Sequence, residues 1–104
     1  MAKALFVARA TVADASKRAA FDAWYSGEHL PDAAKSFGAE KAWRYWSLTD
    51  PVLHHAIYQF ADEATLDRAT RGEHISRLTA DFNRDWPEVT RTRELLVLAE
   101  EFGK

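Results

Sequence analysis

The run Trp24-Tyr25-Ser26-Gly27-Glu28-His29-Leu30-Pro31 sets two aromatic rings, a carboxylate and an imidazole side by side in one short stretch. An imidazole, with an ordinary pKa near 6.5, is the side chain best suited to give or take a proton at neutral pH. His29 is therefore the candidate catalytic acid or base, with Glu28 and Asp32 the carboxylates nearest to it in sequence. Neighbours in sequence do not face each other on a helix, so Glu28 reads as a structural partner, for instance of an arginine. The competing reading has His29 capping a broken helix or bonding a main-chain carbonyl.

Other polar groups could converge with it. Arg44 stands among Trp43, Tyr45 and Trp46, where burial requires a carboxylate, a ring to stack on or an anionic ligand. Its simplest partner is Glu28 or Asp32. His54 and His55 are adjacent on a strand pattern, so alternation sends them to opposite faces and they cannot ligate one metal together. The four tryptophans and three tyrosines are many polar-tipped rings for so short a chain. Most belong in the core, yet small-molecule pockets have apolar walls with a few convergent polar groups. Trp24, Arg44, Tyr45 and His55 are accordingly the candidate substrate-binding residues, suited to a small hydrophobic or aromatic ligand. No His-Glu-x-x-His or His-x-His spacing occurs, so neither a metal nor another cofactor is expected, and nothing local selects haem. Gly72-Glu73-His74 reads as a helix restart, and Arg68, Arg71, Arg91 and Arg93 as solvated faces or rim pairs.

The elements that must position these residues follow from pattern. Ala4 to Val12 alternates as a strand covered on both sides, Leu5, Val7 and Arg9 against Phe6, Ala8 and Ala10. Asp14 can cap a helix over Ala15 to Tyr25, which Gly27 weakens; Pro31 then opens a short second piece through Ser36, ended by Phe37-Gly38. That places the His29 run at a break between two helical pieces. Lys41 to Leu48 and Leu53 to Phe60 form a hairpin around Thr49-Asp50-Pro51. Asp62 or Thr65 caps a helix through Arg71, and a further helix carries Ile75, Leu78, Phe82 and Trp86, closed by Pro87. Thr90 to Ala99 is the last strand, with Leu95 to Leu98 buried. The order β-α-β-β-α-β predicts an α+β, ferredoxin-like fold, a four-stranded antiparallel sheet with its helices on one face. Its other face would carry Trp43 or Trp46, Ile57 and part of Leu95 to Leu98, an apolar patch that a second copy of the sheet would bury.

Composition narrows the classes. At 104 residues, 47% hydrophobic, the chain fits one domain over 1–104. Fourteen basic and 16 acidic residues are well mixed at a net charge of -2, which argues against nucleic acid and anionic membranes. Cysteine is absent, so disulfides, thiolate nucleophiles and cysteine-type zinc sites are excluded. No apolar run reaches the roughly 20 residues of a membrane helix, and a cytoplasmic protein is the expectation.

The opening strand Ala4-Leu5-Phe6-Val7, the run Trp24 to Pro31, the strand residues Arg44-Tyr45 and Ala56-Ile57-Tyr58-Gln59-Phe60, and Asp85-Trp86-Pro87 together resemble the dimeric α/β barrel superfamily. Within it, the chain looks like the EthD-like and related small proteins. The resemblance implies a homodimer whose sheets form a barrel, with a cavity between sheet and helices or inside the barrel, and a cavity-facing histidine at the position of His29. Relatives span cofactor-free monooxygenases, haem-degrading enzymes, polyketide cyclases and muconolactone isomerases, so the fold alone chooses no reaction. Two functions stay open: a cofactor-independent enzyme using His29, and a non-catalytic small-molecule-binding or structural homodimer.

Overall fold

The computed structural model describes residues 2–103. Strand β1 (Ala4–Thr11) leads to Asp14, whose carboxylate accepts from the Ser16 N–H at 3.0 Å and the Ser16 hydroxyl at 2.6 Å. A single 3-10 turn follows and runs into α1 (Arg18–Trp24). The expected break does not occur. Tyr25–His29 winds instead as a π-helical stretch that passes without interruption into α2 (Leu30–Phe37), closed by Gly38 in the left-handed region at φ 70°. The reason is Pro31: it has no N–H to donate, and its ring would strike the carbonyl four residues back in an α-turn. Widening the preceding turn, with the Leu30 N–H bonded to the Tyr25 carbonyl, lets the helix continue past it.

Strands β2 (Lys41–Trp46) and β3 (Leu53–Phe60) form the hairpin, with Trp46 opposite His54. Asp62 caps α3 (Glu63–Ala69), accepting from the Thr65 N–H at 2.8 Å, which decides between the two capping candidates. Helix α4 (Glu73–Asp85) buries Ile75, Leu78 and Phe82 and stops one residue before Trp86, because a residue preceding proline is driven out of the helical region. Strand β4 (Thr90–Val97) completes an antiparallel sheet of order β2-β3-β1-β4.

Alternation gives the sheet two unlike faces. Ala4, Phe6 and Ala10 of β1 and His54, Ala56, Tyr58 and Phe60 of β3 lie under the helices, where they join Phe21, Tyr25, Ala33, Phe37, Leu66, Leu78 and Phe82 in one buried cluster. The opposite face carries Leu5, Val7 and Arg9, His55 and Ile57, Trp43 and Tyr45, and Glu94 and Leu96, with no helix or strand among the described residues over it. Of the two tryptophans considered for that face, Trp43 occupies it and Trp46 packs against the core below. Leu95 to Leu98, expected to be buried, are exposed, because β4 is an edge strand with no described strand beyond it. Leu96 lies on the uncovered face, whereas Leu95 and Val97 lie on the helix side, opposite Phe6 and Ala4, in an open groove beside α3. Among the described residues no helix is long and apolar enough to cross a membrane.

Candidate functional site

The π-helical stretch determines what surrounds His29. In an α-helix a residue five positions on lies about 140° away around the axis, so Trp24 and His29 would point apart. The wider turn brings them together: their rings stack with centroids 4.6 Å apart and planes 17° apart. Tyr25, four residues before His29, meets the same imidazole edge-on at 4.9 Å. Phe82 of α4 closes the remaining side at 5.7 Å. A single extra residue in the helix thus clamps the imidazole among three aromatic rings.

His29 is buried, and its ring makes no hydrogen bond among the described residues. Burial, reinforced by the positive charge of Arg91, pushes its pKa down to about 4, so it is neutral at pH 7. It lines a narrow cavity between helices and sheet together with Tyr25, Tyr58, Phe6, Phe37 and Leu78, and Arg91 and Arg93 of β4 stand at the same cavity. The space is about 30 Å³, room for a water molecule or two. His29 also borders a shallow surface cleft with Trp24, Glu28, Asp32, Asp81 and Asp85, so its ring separates the interior from solvent-facing carboxylates. Burial holds the Tyr25 phenol up at about 12 and the Tyr58 phenol well above its usual value, and both therefore remain hydrogen-bond donors at neutral pH.

The other candidate residues divide between the two faces of the sheet. Trp24 stacks on His29 and donates its indole N–H to Asp85 at 3.2 Å. Arg44 lies on the helix side. Its partner is Asp22, one of whose oxygens accepts from both guanidinium nitrogens at 3.0 and 2.8 Å and from the Trp46 indole at 2.9 Å. Neither Glu28 nor Asp32 fills that role, since Asp32 is held by Arg77 at 2.9 Å. Arg44 also sits 5.8 Å from the Tyr25 ring and 3.3 Å from His54 Nε2. A guanidinium can only donate, so His54 Nε2 accepts and the proton of its neutral ring sits on Nδ1, a buried atom with no partner among the described residues. Burial and then Arg44 push the His54 pKa down to about 4. Tyr45 and His55 form a cross-strand pair on the opposite, uncovered face and cannot reach His29. Among the described residues no three histidine or acidic side chains are grouped to hold a metal ion.

Sequence reasoning passed over Tyr25 and Tyr58 as site residues, and it assigned Arg91 and Arg93 to solvated faces or rim pairs. Arg93 is exposed at the cavity's rim, but Arg91 is half-buried, its guanidinium 3.9 Å from the centre of the Phe82 ring. Neither arginine meets a carboxylate among the described residues. The signal for them was present in Thr90-Arg91-Thr92-Arg93, where strand alternation puts both arginines on one face.

No protein-family model matches the chain, and no curated protein does. Solved structures do. A mutant of SnoaB from Streptomyces nogalater, described as a cofactor-independent oxygenase, is similar at a TM-score of 0.73 with 17% identity over 98% of both chains. An ethyl tert-butyl ether (EthD) family protein from Bacillus halodurans gives 0.68 with 19% identity, over 98% of this chain and 100% of that one. A dimeric ferredoxin-like protein from an uncultured marine organism gives 0.66 with 16% identity, over 98% and 100%. With this topology and these neighbours, the chain has an α+β, ferredoxin-like fold.

Proposed function

We propose that the chain is a single-domain, homodimeric enzyme that needs neither metal nor organic cofactor and acts on a small hydrophobic or aromatic oxygenated compound, with His29 as its acid or base. The observation that carries this reading is a neutral imidazole, locked between Trp24 and Tyr25 by a π-helical turn, in the wall of a cavity that also holds two protonated phenols. π-Helical turns inside α-helices recur at functional sites. Neutral His29 takes a proton from a hydroxyl or an activated C–H of the ligand, and Tyr25, itself accepting from Tyr58, donates a hydrogen bond to the oxygen on which negative charge develops. An imidazole with a pKa of about 4 is a weak base in the empty cavity, but an anion forming beside it favours the imidazolium and raises that value as the proton moves. The similarity to a cofactor-independent oxygenase supports the class and leaves the reaction open.

The size of the cavity favours a second reading, a non-catalytic small-molecule-binding or structural homodimer. Ligand pockets commonly hold roughly 300 to 1,000 Å³, so the space at His29 must open to admit a substrate. The two readings separate on His29→Gln. Across a panel of hydroxylated aromatics and lactones, followed by mass spectrometry and oxygen uptake, the enzyme reading expects turnover that falls about 100-fold or more in the variant. Turnover equal in both proteins, or none in either, removes it in favour of the binding reading.

A further inference from the structure

We infer that Arg91 and Arg93 form an anion-binding pair, and that the ligand of the His29 cavity is an organic acid: an apolar or aromatic body carrying a carboxylate held against β4. This rests on reading the cavity as a ligand site. Residues two apart on a strand share a face, and these two point under α4 at the same cavity. Both guanidinium groups are engaged only by uncharged partners among the described residues. Arg91 donates to Asn83 Oδ1 at 3.1 Å and lies on the Phe82 ring, and Arg93 donates to Thr79 Oγ1 at 2.6 Å. Ion pairs elsewhere take up Arg9, Arg44, Arg71, Arg77 and Arg84. Arg18 and Arg68 also lack a carboxylate, but they line no part of this cavity.

Two positive charges beside an apolar cavity, one of them half-buried, are unfavourable in the empty protein. The strain is visible in Arg91, whose guanidinium is pressed below its ordinary value by burial and then by Arg93. A carboxylate relieves it. Hydrogen bonds from a guanidinium to a carboxylate are about twice as strong as those to neutral acceptors, so an acid displaces Asn83 and Thr79 from the arginines. Those same bonds now tie α4 to β4 across the cavity mouth, and releasing them opens the space beyond its present 30 Å³. The apolar body then lies among Phe6, Phe37 and Leu78, with its reactive end toward His29.

The test compares benzoate, 2-hydroxybenzoate and 1-naphthoate with their amides at pH 7 and low salt, by calorimetry and by NMR of the aromatic resonances. At least one acid is expected to bind about tenfold or more tightly than its amide, to weaken with added salt, and to shift the Tyr25 and Tyr58 signals. Arg91→Gln with Arg93→Gln should abolish that preference, and the paired lysine variant should keep most of it, with thermal melts confirming that each variant is folded. Equal affinity for acid and amide, an undiminished preference in the glutamine pair, or no binding of any acid overturns the inference. His29→Gln keeps the preference for acids, so loss of the acid/base reading and loss of the anion pair are distinguishable.

Discussion

His29 and His54 are both buried, both flank Tyr25, and both are held neutral, each with a pKa of about 4 in the fold. In the unfolded chain each would titrate near 6.5. A basic group whose pKa falls on folding binds fewer protons in the native state, so its contribution to stability is complete above the unfolded value and is lost as pH falls toward the folded one. Stability should therefore drop between about pH 6.5 and 4, by on the order of 1 to 3 kcal/mol from each histidine. Urea melts at half-unit steps check this, and His29→Gln and His54→Gln should each flatten the slope. Ring-proton NMR shifts of both residues should stay constant from about pH 7 to 5; a midpoint near 6.5 for either would refute the account. For the proposed chemistry the same shift means that the acid limb of kcat/KM lies well below the ordinary imidazole value.

At the scale of elements, the π-helical stretch is the decisive piece and the one the sequence concealed. Gly27 and Pro31 were legible as disturbances, but whether a helix breaks at them or widens around them depends on what packs beneath, here Phe21, Phe82 and the sheet. Gly27 is exposed, has a helical backbone, and an added Cβ would meet nothing within 4 Å. Because Pro31 and the packing of Tyr25 and His29 set the wide turn, Gly27→Ala should leave it in place. The substitution should add about 0.5 to 1 kcal/mol through helix propensity, a rise of a few degrees in Tm. A fall in Tm, or loss of the Trp24–His29 stack in a crystal structure of the variant, would show that the glycine itself maintains the turn. The strands were more transparent. Alternation placed His54 and His55 on opposite faces, and Leu5, Val7 and Arg9 opposite Phe6, Ala8 and Ala10, as found. Alternation alone could not say which face the helices would cover, and so Tyr45 and His55 were grouped with His29 although the sheet separates them. Alternation puts Arg91 and Arg93 on one face, but they were read as solvated faces or rim pairs because a charge on a strand gives no sign in sequence of the ring or cavity it will meet.

For the whole molecule, the accessible surface is 6604 Å², whereas a folded monomer of 11.8 kDa typically exposes about 5,900 Å². The excess is of the order of the roughly 800 Å² that each partner buries in a standard interface. It lies where Leu95 to Leu98 and Phe102 are exposed and where Trp43, Ile57 and Leu96 share an uncovered sheet face. Pairing two such faces would cover Trp43, Ile57 and Leu96 and enclose Tyr45, His55, Arg9 and Glu94 between subunits, while His29, Arg91 and Arg93 stay beneath the helices of each. The site and the proposed interface would thus lie back to back across one sheet, and they should be separable. Size-exclusion chromatography with light scattering should give twice the 11.8 kDa of the chain. Ile57→Glu, which sets a charge in the middle of the apolar face, should halve that mass, because an unpaired carboxylate buried in an interface costs several kcal/mol. In a lone subunit the new carboxylate faces water, so the variant should remain folded by circular dichroism. A wild-type protein that runs as a monomer, or an Ile57→Glu variant that remains a dimer, would place the contact elsewhere. The monomeric variant should still prefer the acid that the wild-type protein prefers over its amide, since each cavity is built within one chain.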